Sequence, residues 1–196
     1  MNNIVGQNII AVDRGLEVLY ELNIVPNHVV GDFDSVSTSI LRFYQKNDKV
    51  VFHKYNSEKD YTDTDIALKL AIELNSSTIT VMGALGKRMD HALANIHILK
   101  EALEIGIPCE ILDSYNKIYL VKENMQLAKD KTYGKYISFL PLTTTVKGIT
   151  LKGFQYPLNN ASLSVGLSLG ISNEIVEDMA TIELEEGILI VIESKD

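Results

Sequence analysis

The sequence predicts an α/β half followed by an all-β half. Up to residue 115, short apolar runs alternate with helical patterns. Beyond it the helical period disappears, and short alternating strands separated by turn residues take over. The composition, 46% hydrophobic and 22% charged over 196 residues, is that of an ordinary globular chain with enough length for a large core.

In the first half, residues 9–12, 28–30, 50–52, 78–82 and 109–112 read as buried strands. Helical patterns lie between them at 15–22, 37–46, 64–74 and 91–105. Alternation of this kind predicts βαβ units and an open, mostly parallel sheet. In helix 64–74, Ile66, Leu70 and Leu74 recur four apart, and Asp65 and Lys69 form an outward pair. In helix 91–105, Ala92, Ile96, Leu99 and Leu103 make the apolar stripe, and Gly106 and Pro108 stop it. In the second half, 117–121, 135–140, 145–151, 162–169, 171–177, 179–184 and 187–193 read as strands. Gly134, Gly148, Pro157, Asn159, Asn160 and Gly187 mark turns between them, which predicts a small sandwich.

Charge and cysteine content narrow the partners. Eighteen Lys and Arg against 26 Asp and Glu give a net charge of −8, which argues against nucleic acid and anionic membranes as partners. A single cysteine, Cys109, makes no internal disulfide and no zinc cluster, and it reads as core. No apolar run is long enough to span a bilayer, and the start lacks the pattern of a signal peptide. The expected setting is the cytoplasm.

Ligands of open parallel sheets bind beyond the carboxyl ends of the strands. Four consecutive predicted strands end in polar, mostly acidic loops. The first is Asp13-Arg14-Gly15. The second is Gly31-Asp32-Phe33-Asp34-Ser35, where two carboxylates flank one residue; they suit a hard cation, or alternatively a turn with Ser35 or Ser37 capping the next helix. The third runs from Glu58 to Asp65. There Thr62 and Asp65 fit a capping box, while Lys59, Asp60 and Asp63 are left for function. The fourth is Gly83-Ala84-Leu85-Gly86-Lys87-Arg88-Met89-Asp90-His91, in which Lys87 and Arg88 suit phosphate oxygens and Asp90 suits a helix cap. Asn95 lies one turn beyond His91. The Walker A spacing is absent. His28, His53 and His97 have no metal-ligand spacing, and Ser35 lacks the context of a serine nucleophile.

This ordered set, closed by Ser172-Asn173-Glu174, resembles the thiamine pyrophosphokinase family from residue 9 to the C-terminus. The resemblance implies an N-terminal Rossmann-like catalytic domain (1–122), a C-terminal β-sandwich that binds thiamine and dimerises (123–196), and a homodimer with a shared active site. It implies transfer of diphosphate from ATP to the hydroxyl of thiamine, giving thiamine diphosphate and AMP. Asp32, Asp34 and Asp63 would hold Mg2+, with Asp90, Lys59 and Arg88 in catalysis. Asp13, Asp60, Asn95, Ser172 and Asn173 would contact substrates. Asp63 and Asp90 are both candidates for the base.

The chain departs from the family pattern in three places. The segment before Ile9 is short, Arg14 stands where the family has glycine, and without tryptophan any stacking on thiamine falls to Phe154 or Tyr156. A haloacid-dehalogenase-type phosphatase using Asp32 and Asp34, or a non-catalytic thiamine- or nucleotide-binding module, are the alternatives. On the main reading the acidic excess has a purpose. Asp13, Asp32, Asp34, Asp60, Asp63 and Asp90 would gather on one rim and recruit magnesium, which recruits ATP.

Overall fold

The computed structural model describes residues 7–55 and 60–196. The chain divides into two compact units, Met1–Ser76 and Ser77–Asp196.

In the first unit, β1 (Ile10–Val12), β2 (His28–Gly31) and β3 (Val51–Lys54) form a parallel sheet in that order. The register pairs Val12 with Val30 and Val30 with His53, so all three strands end at the same rim. Helices α1 (Gly15–Glu21) and α2 (Thr38–Gln45) supply Leu16 and Tyr44 to a core with Ala11 and Val29. Helix α3 (Asp63–Glu73) packs on β1 and β2. Its buried residues are Ala67, Leu68 and Ala71, whereas the predicted stripe of Ile66, Leu70 and Leu74 is only half-buried. Two alanines give a closer approach than a leucine stripe allows, and the four-residue spacing alone could not distinguish these neighbouring faces.

The second unit begins with β4 (Ile79–Met82), α4 (Met89–Glu104) and β5 (Cys109–Leu112). Then follow β6 (Asn116–Val121), β7 (Met125–Ala128), β8 (Tyr136–Pro141), β9 (Thr145–Lys152), β10 (Leu158–Ser164), β11 (Asn173–Glu174), β12 (Met179–Glu183) and β13 (Leu189–Ser194). A six-stranded sheet runs β11-β8-β13-β6-β5-β4, and a four-stranded sheet runs β10-β9-β12-β7. Phe139 and Val191 of the first pack with Val146, Ile149, Leu151 and Ile182 of the second in one core. Helix α4 packs on β5 and β6, with Leu99 among Ile111, Ile118 and Leu120.

Mixed α/β structure and β-sheets are therefore present, but in a different grouping from the predicted one. Strands β4 and β5 are parallel to each other, yet β5 continues antiparallel into β6. The change of pattern near residue 115 thus falls inside one sheet: Asp113, whose Oδ1 accepts the amides of Tyr115 and Asn116, makes a tight turn there. Predicted strand 162–169 is displaced to β10, and residues 165–169 are exposed. Val165, Leu167, Leu169 and Ile171 alternate with small residues as a half-buried strand would, but they face solvent. Of predicted strand 171–177, Asn173–Glu174 forms β11 and Ile175 adds a single bridge to Phe154. Asn159 and Asn160, read as turn residues, lie inside β10, where the register shifts beside Asn160 at φ 46°. Strand β7 has no counterpart among the predicted strands.

Gly106 ends α4 as the sequence suggests, and two asparagines not singled out there end α1 and α3 in the same way. Asn23, Asn75 and Gly106 take left-handed backbone after α1, α3 and α4. Each is followed by a residue whose amide reaches back five positions: Ile24 to Leu19, Ser76 to Ala71 and Ile107 to Ala102.

Candidate active site

In the first unit the strand ends bring Asp13 beside Gly31. Asp13 is left-handed at φ 44°, and its amide donates to Val30 O at 3.1 Å. Gly31 has φ 149°, and a Cβ there would lie 2.1 Å from Asp13 Oδ1. Glycine at this point is what lets the carboxylate lie against the β2 backbone.

The β2–α2 loop carries Asp32 and Asp34. Phe33 between them is left-handed at φ 67°, is 9% exposed and packs edge-on to Phe52 with ring centroids 5.8 Å apart. With Phe33 pinned in the core, its two acidic neighbours stay at the surface: Asp32 half-buried, Asp34 exposed. Asp32 Oδ1 accepts the Asp34 amide at 3.0 Å. The turn reading and the ligand reading therefore share residues: Asp32 spends one oxygen on the turn and keeps the other. Ser37 is the N-cap of α2, although its hydroxyl caps nothing.

At α3, Thr62 is the N-cap and its Oγ1 accepts the Asp65 amide at 3.2 Å. Asp65 then pairs with Lys69 at 2.9 Å. These two residues are structural, as expected. Asp63 opens the helix half-buried, and Asp60 is exposed. Lys59 lies outside the described residues.

In the second unit Arg88 and Asp90 are partners. Arg88 Nε donates to Asp90 Oδ1 at 3.2 Å and Nη2 to Oδ2 at 2.5 Å, and the His91 amide adds 3.0 Å to Oδ1. The Arg88 contact holds the Asp90 carboxyl down at about 2. Asn95, expected to face a ligand with His91, is 6% exposed, and its Nδ2 donates to Ala84 O at 2.9 Å. It fastens the glycine loop from below, while His91 one turn earlier is exposed.

Ser172 is exposed and left-handed at φ 56°, and its amide donates to Ser138 Oγ at 3.0 Å. Asn173 is 3% exposed. Its Oδ1 accepts the Tyr156 amide at 3.0 Å and its Nδ2 donates to Tyr156 O at 2.8 Å. Of the two aromatic candidates, Phe154 is core, packed edge-on to Phe139, and Tyr156 is 63% exposed. Ser138 and the Tyr156 backbone were not singled out by the sequence, because their partners lie 34 and 17 positions away. Among the described residues, apart from glycine and asparagine, those with left-handed backbone are Asp13, Phe33 and Ser172, one in each of three sequence motifs. Strain of this kind persists where the surrounding structure enforces it and concentrates at functional sites.

Comparison with known proteins decides the family. The family model described as "Thiamin pyrophosphokinase, catalytic domain" matches residues 5–111, and "Thiamin pyrophosphokinase, vitamin B1 binding domain" matches residues 122–189. The chain belongs to the thiamin pyrophosphokinase family. Thiamine pyrophosphokinase of Bacillus subtilis is 37% identical over 188 residues, covering 95% of this chain and 87% of that one. Its crystal structure superposes with a TM-score of 0.87. Thiamin pyrophosphokinase of Geobacillus thermodenitrificans is 34% identical with a TM-score of 0.84, over 95% of this chain and 86% of that one. The yeast enzyme, 18% identical with a TM-score of 0.82 over 96% of this chain and 78% of that one, shares the fold. Membership in thiamin pyrophosphokinase removes the phosphatase alternative, whose D-x-D belongs on a first strand and not on β2.

Among the described residues no three His, Cys, Asp or Glu side chains form a ready-made metal cluster. The donor set still fits a hard divalent cation. Asp32 has an oxygen outside its turn and Asp34 is open to solvent, and magnesium takes one or two carboxylates while completing its shell with water and substrate phosphate.

Proposed function

We infer that this chain transfers a diphosphate group from ATP to thiamine, giving thiamine diphosphate and AMP. The observation that carries the reading is that both halves of the family match here, on a chain whose strand-end carboxylates stand in the matched catalytic region. Asp32 and Asp34, with Asp63, would hold Mg2+, whose charge would screen the phosphate oxygens. Lys59 and Arg88 neutralise the transferred group, and Asp13 and Asp60 order the substrate rim. Asn95 acts through the glycine loop it fastens.

Asp63 is the proposed base. Asp90 has both oxygens engaged by Arg88 and is held near 2, which makes it a weak proton acceptor. Ser172 and Tyr156 face thiamine, with Asn173 fixing Tyr156 from behind. The finer descriptions belong to the same reading: a Rossmann-like catalytic domain over 1–122, a thiamine-binding sandwich over 123–196, a cytoplasmic setting, and a homodimer with a shared site. The exposed Val165, Leu167, Leu169 and Ile171 beside Ser172 support a second copy covering that ridge. No helix among the described residues is long and apolar enough to cross a membrane.

Product analysis with ATP, thiamine and magnesium tests this. AMP and thiamine diphosphate are expected; ADP with thiamine monophosphate, or no turnover, overturns it. Asp63→Asn should abolish turnover while the Thr62 cap keeps α3 folded. A globally unfolded D63N would assign Asp63 to the fold instead.

A further inference from the structure

We propose that Glu17, on α1, is a positioning residue that sets the geometry of the Asp32–Asp34 loop by holding the backbone amide of Ser37. The proposal rests on the reading that this loop faces the triphosphate.

Glu17 Oε1 accepts the Ser37 amide at 2.9 Å across 20 positions of sequence, and its Oε2 accepts Arg14 Nε at 3.4 Å. The amide is worth holding. Ser37 is the N-cap of α2, its own hydroxyl is turned to Ser39 Oγ at 2.9 Å, and it makes no side-chain cap bond. Glu17 thus brings a negative charge to the start of an eight-residue helix that has no acidic residue in its first turn. The Ser37 amide, with Arg14 assisting, holds the Glu17 carboxyl below the ordinary carboxylate range.

The loop is consequently fixed at three points, with Val36 buried in the same core as Phe33 immediately before Ser37. Phe33 is anchored in the core at one end, and Ser37 is anchored on Glu17 at the other. Asp34 and Ser35 lie between these anchors. The Val36 amide also bonds to Phe33 O at 3.2 Å, so a displacement at Ser37 is transmitted through a tight turn to Asp34. Glu17 is half-buried on α1 and need not touch substrate to act.

The two oxygens of Glu17 have separable partners. Glu17→Gln keeps an acceptor for Ser37 and gives up the charge toward Arg14, whereas Glu17→Ala gives up both. Ser37 has φ −56°, which proline adopts, so Ser37→Pro deletes the amide donor and displaces the Glu17 carboxylate from it while residue 17 stays glutamate. Steady-state kinetics and thermal midpoints of the full-length chain with ATP, thiamine and magnesium provide the test.

Misplacement of a reacting group by about 1 Å costs about 100-fold. Glu17→Ala and Ser37→Pro should therefore each lower kcat roughly 10–100-fold, leave the thiamine KM unchanged, and combine non-additively. Glu17→Gln should keep most of kcat. The proposal is overturned if E17Q falls as far as E17A, or if E17A and S37P lower the thermal midpoint with kcat intact. If E17A does not fold, S37P against E17Q decides in the same way. Asp34→Asn is the separate control: full activity in D34N would remove the reading of the loop itself, whatever Glu17 does.

Discussion

The Asp13 carboxylate occupies the place where a side chain on Gly31 would stand, 2.1 Å from the position of a Cβ. Two neighbouring strand ends are thereby locked in one arrangement, with Asp13 itself held in left-handed backbone. Gly31→Ala should push Asp13 out of place and force a side chain into backbone that L-residues avoid. We expect a stability loss of about 1–3 kcal/mol by denaturant titration and a drop in kcat/KM of roughly 10–100-fold. A fully active G31A variant would show that Asp13 has no positional role.

Arg88 and Asp90 call for a titration. Hydrogen bonding from Arg88 is the main reason the Asp90 carboxyl sits at about 2, with the His91 amide assisting. Asp90 should stay ionised throughout any practical assay, so the acid limb of the kcat/KM profile must come from another group. In carbon-detected NMR the Asp90 carboxyl should titrate near 2 in the parent and rise toward its ordinary 3.8 in Arg88→Gln. A parent midpoint already near 3.8 would mean that the pair does not persist in solution.

The outlines of both halves were legible because each rests on local signals. The helix end at Gly106, the Thr62 cap, the Asp65–Lys69 pair and the stripe of α4 are all set by residues within a few positions of one another. What escaped the sequence depends on distant partners. That Asn95 and Asn173 are buried fasteners follows from Ala84 and Tyr156, 11 and 17 positions away. That 165–169 is an exposed ridge follows from packing, since its alternation matches that of a core-facing strand. The β5–β6 pairing escaped for a related reason: apolar runs do not state whether their neighbour is parallel.

His28 and His53 have no metal-ligand spacing in the sequence, yet the parallel register brings His28 Nδ1 within 3.0 Å of His53 Nε2. Partial burial, and then the neighbouring His53 charge, lower the His28 pKa from its ordinary 6.5. The neutral ring is therefore favoured in the folded state. The stabilisation is complete above 6.5 and is lost as pH falls through that value toward the lower folded one. Urea midpoints should fall between pH 7 and pH 5 in the parent, and His28→Gln should flatten that slope. An identical slope in both proteins would assign the acid sensitivity elsewhere.

Asn173 satisfies both backbone groups of Tyr156 from a buried position, which makes its role in thiamine binding indirect. Asn173→Ala leaves the Tyr156 amide and carbonyl without their partner, at a cost of about 1–3 kcal/mol. The same change frees the exposed Tyr156 ring to wander, so the thiamine KM should rise more than that for ATP. Tyr156→Ala separates the two effects: it removes the ring, keeps the backbone that Asn173 holds, and should raise the thiamine KM with little loss of stability. Calorimetry beside steady-state kinetics distinguishes the cases. A Y156A variant with an unchanged thiamine KM would leave Asn173 a purely structural fastener and move the thiamine site away from this strand.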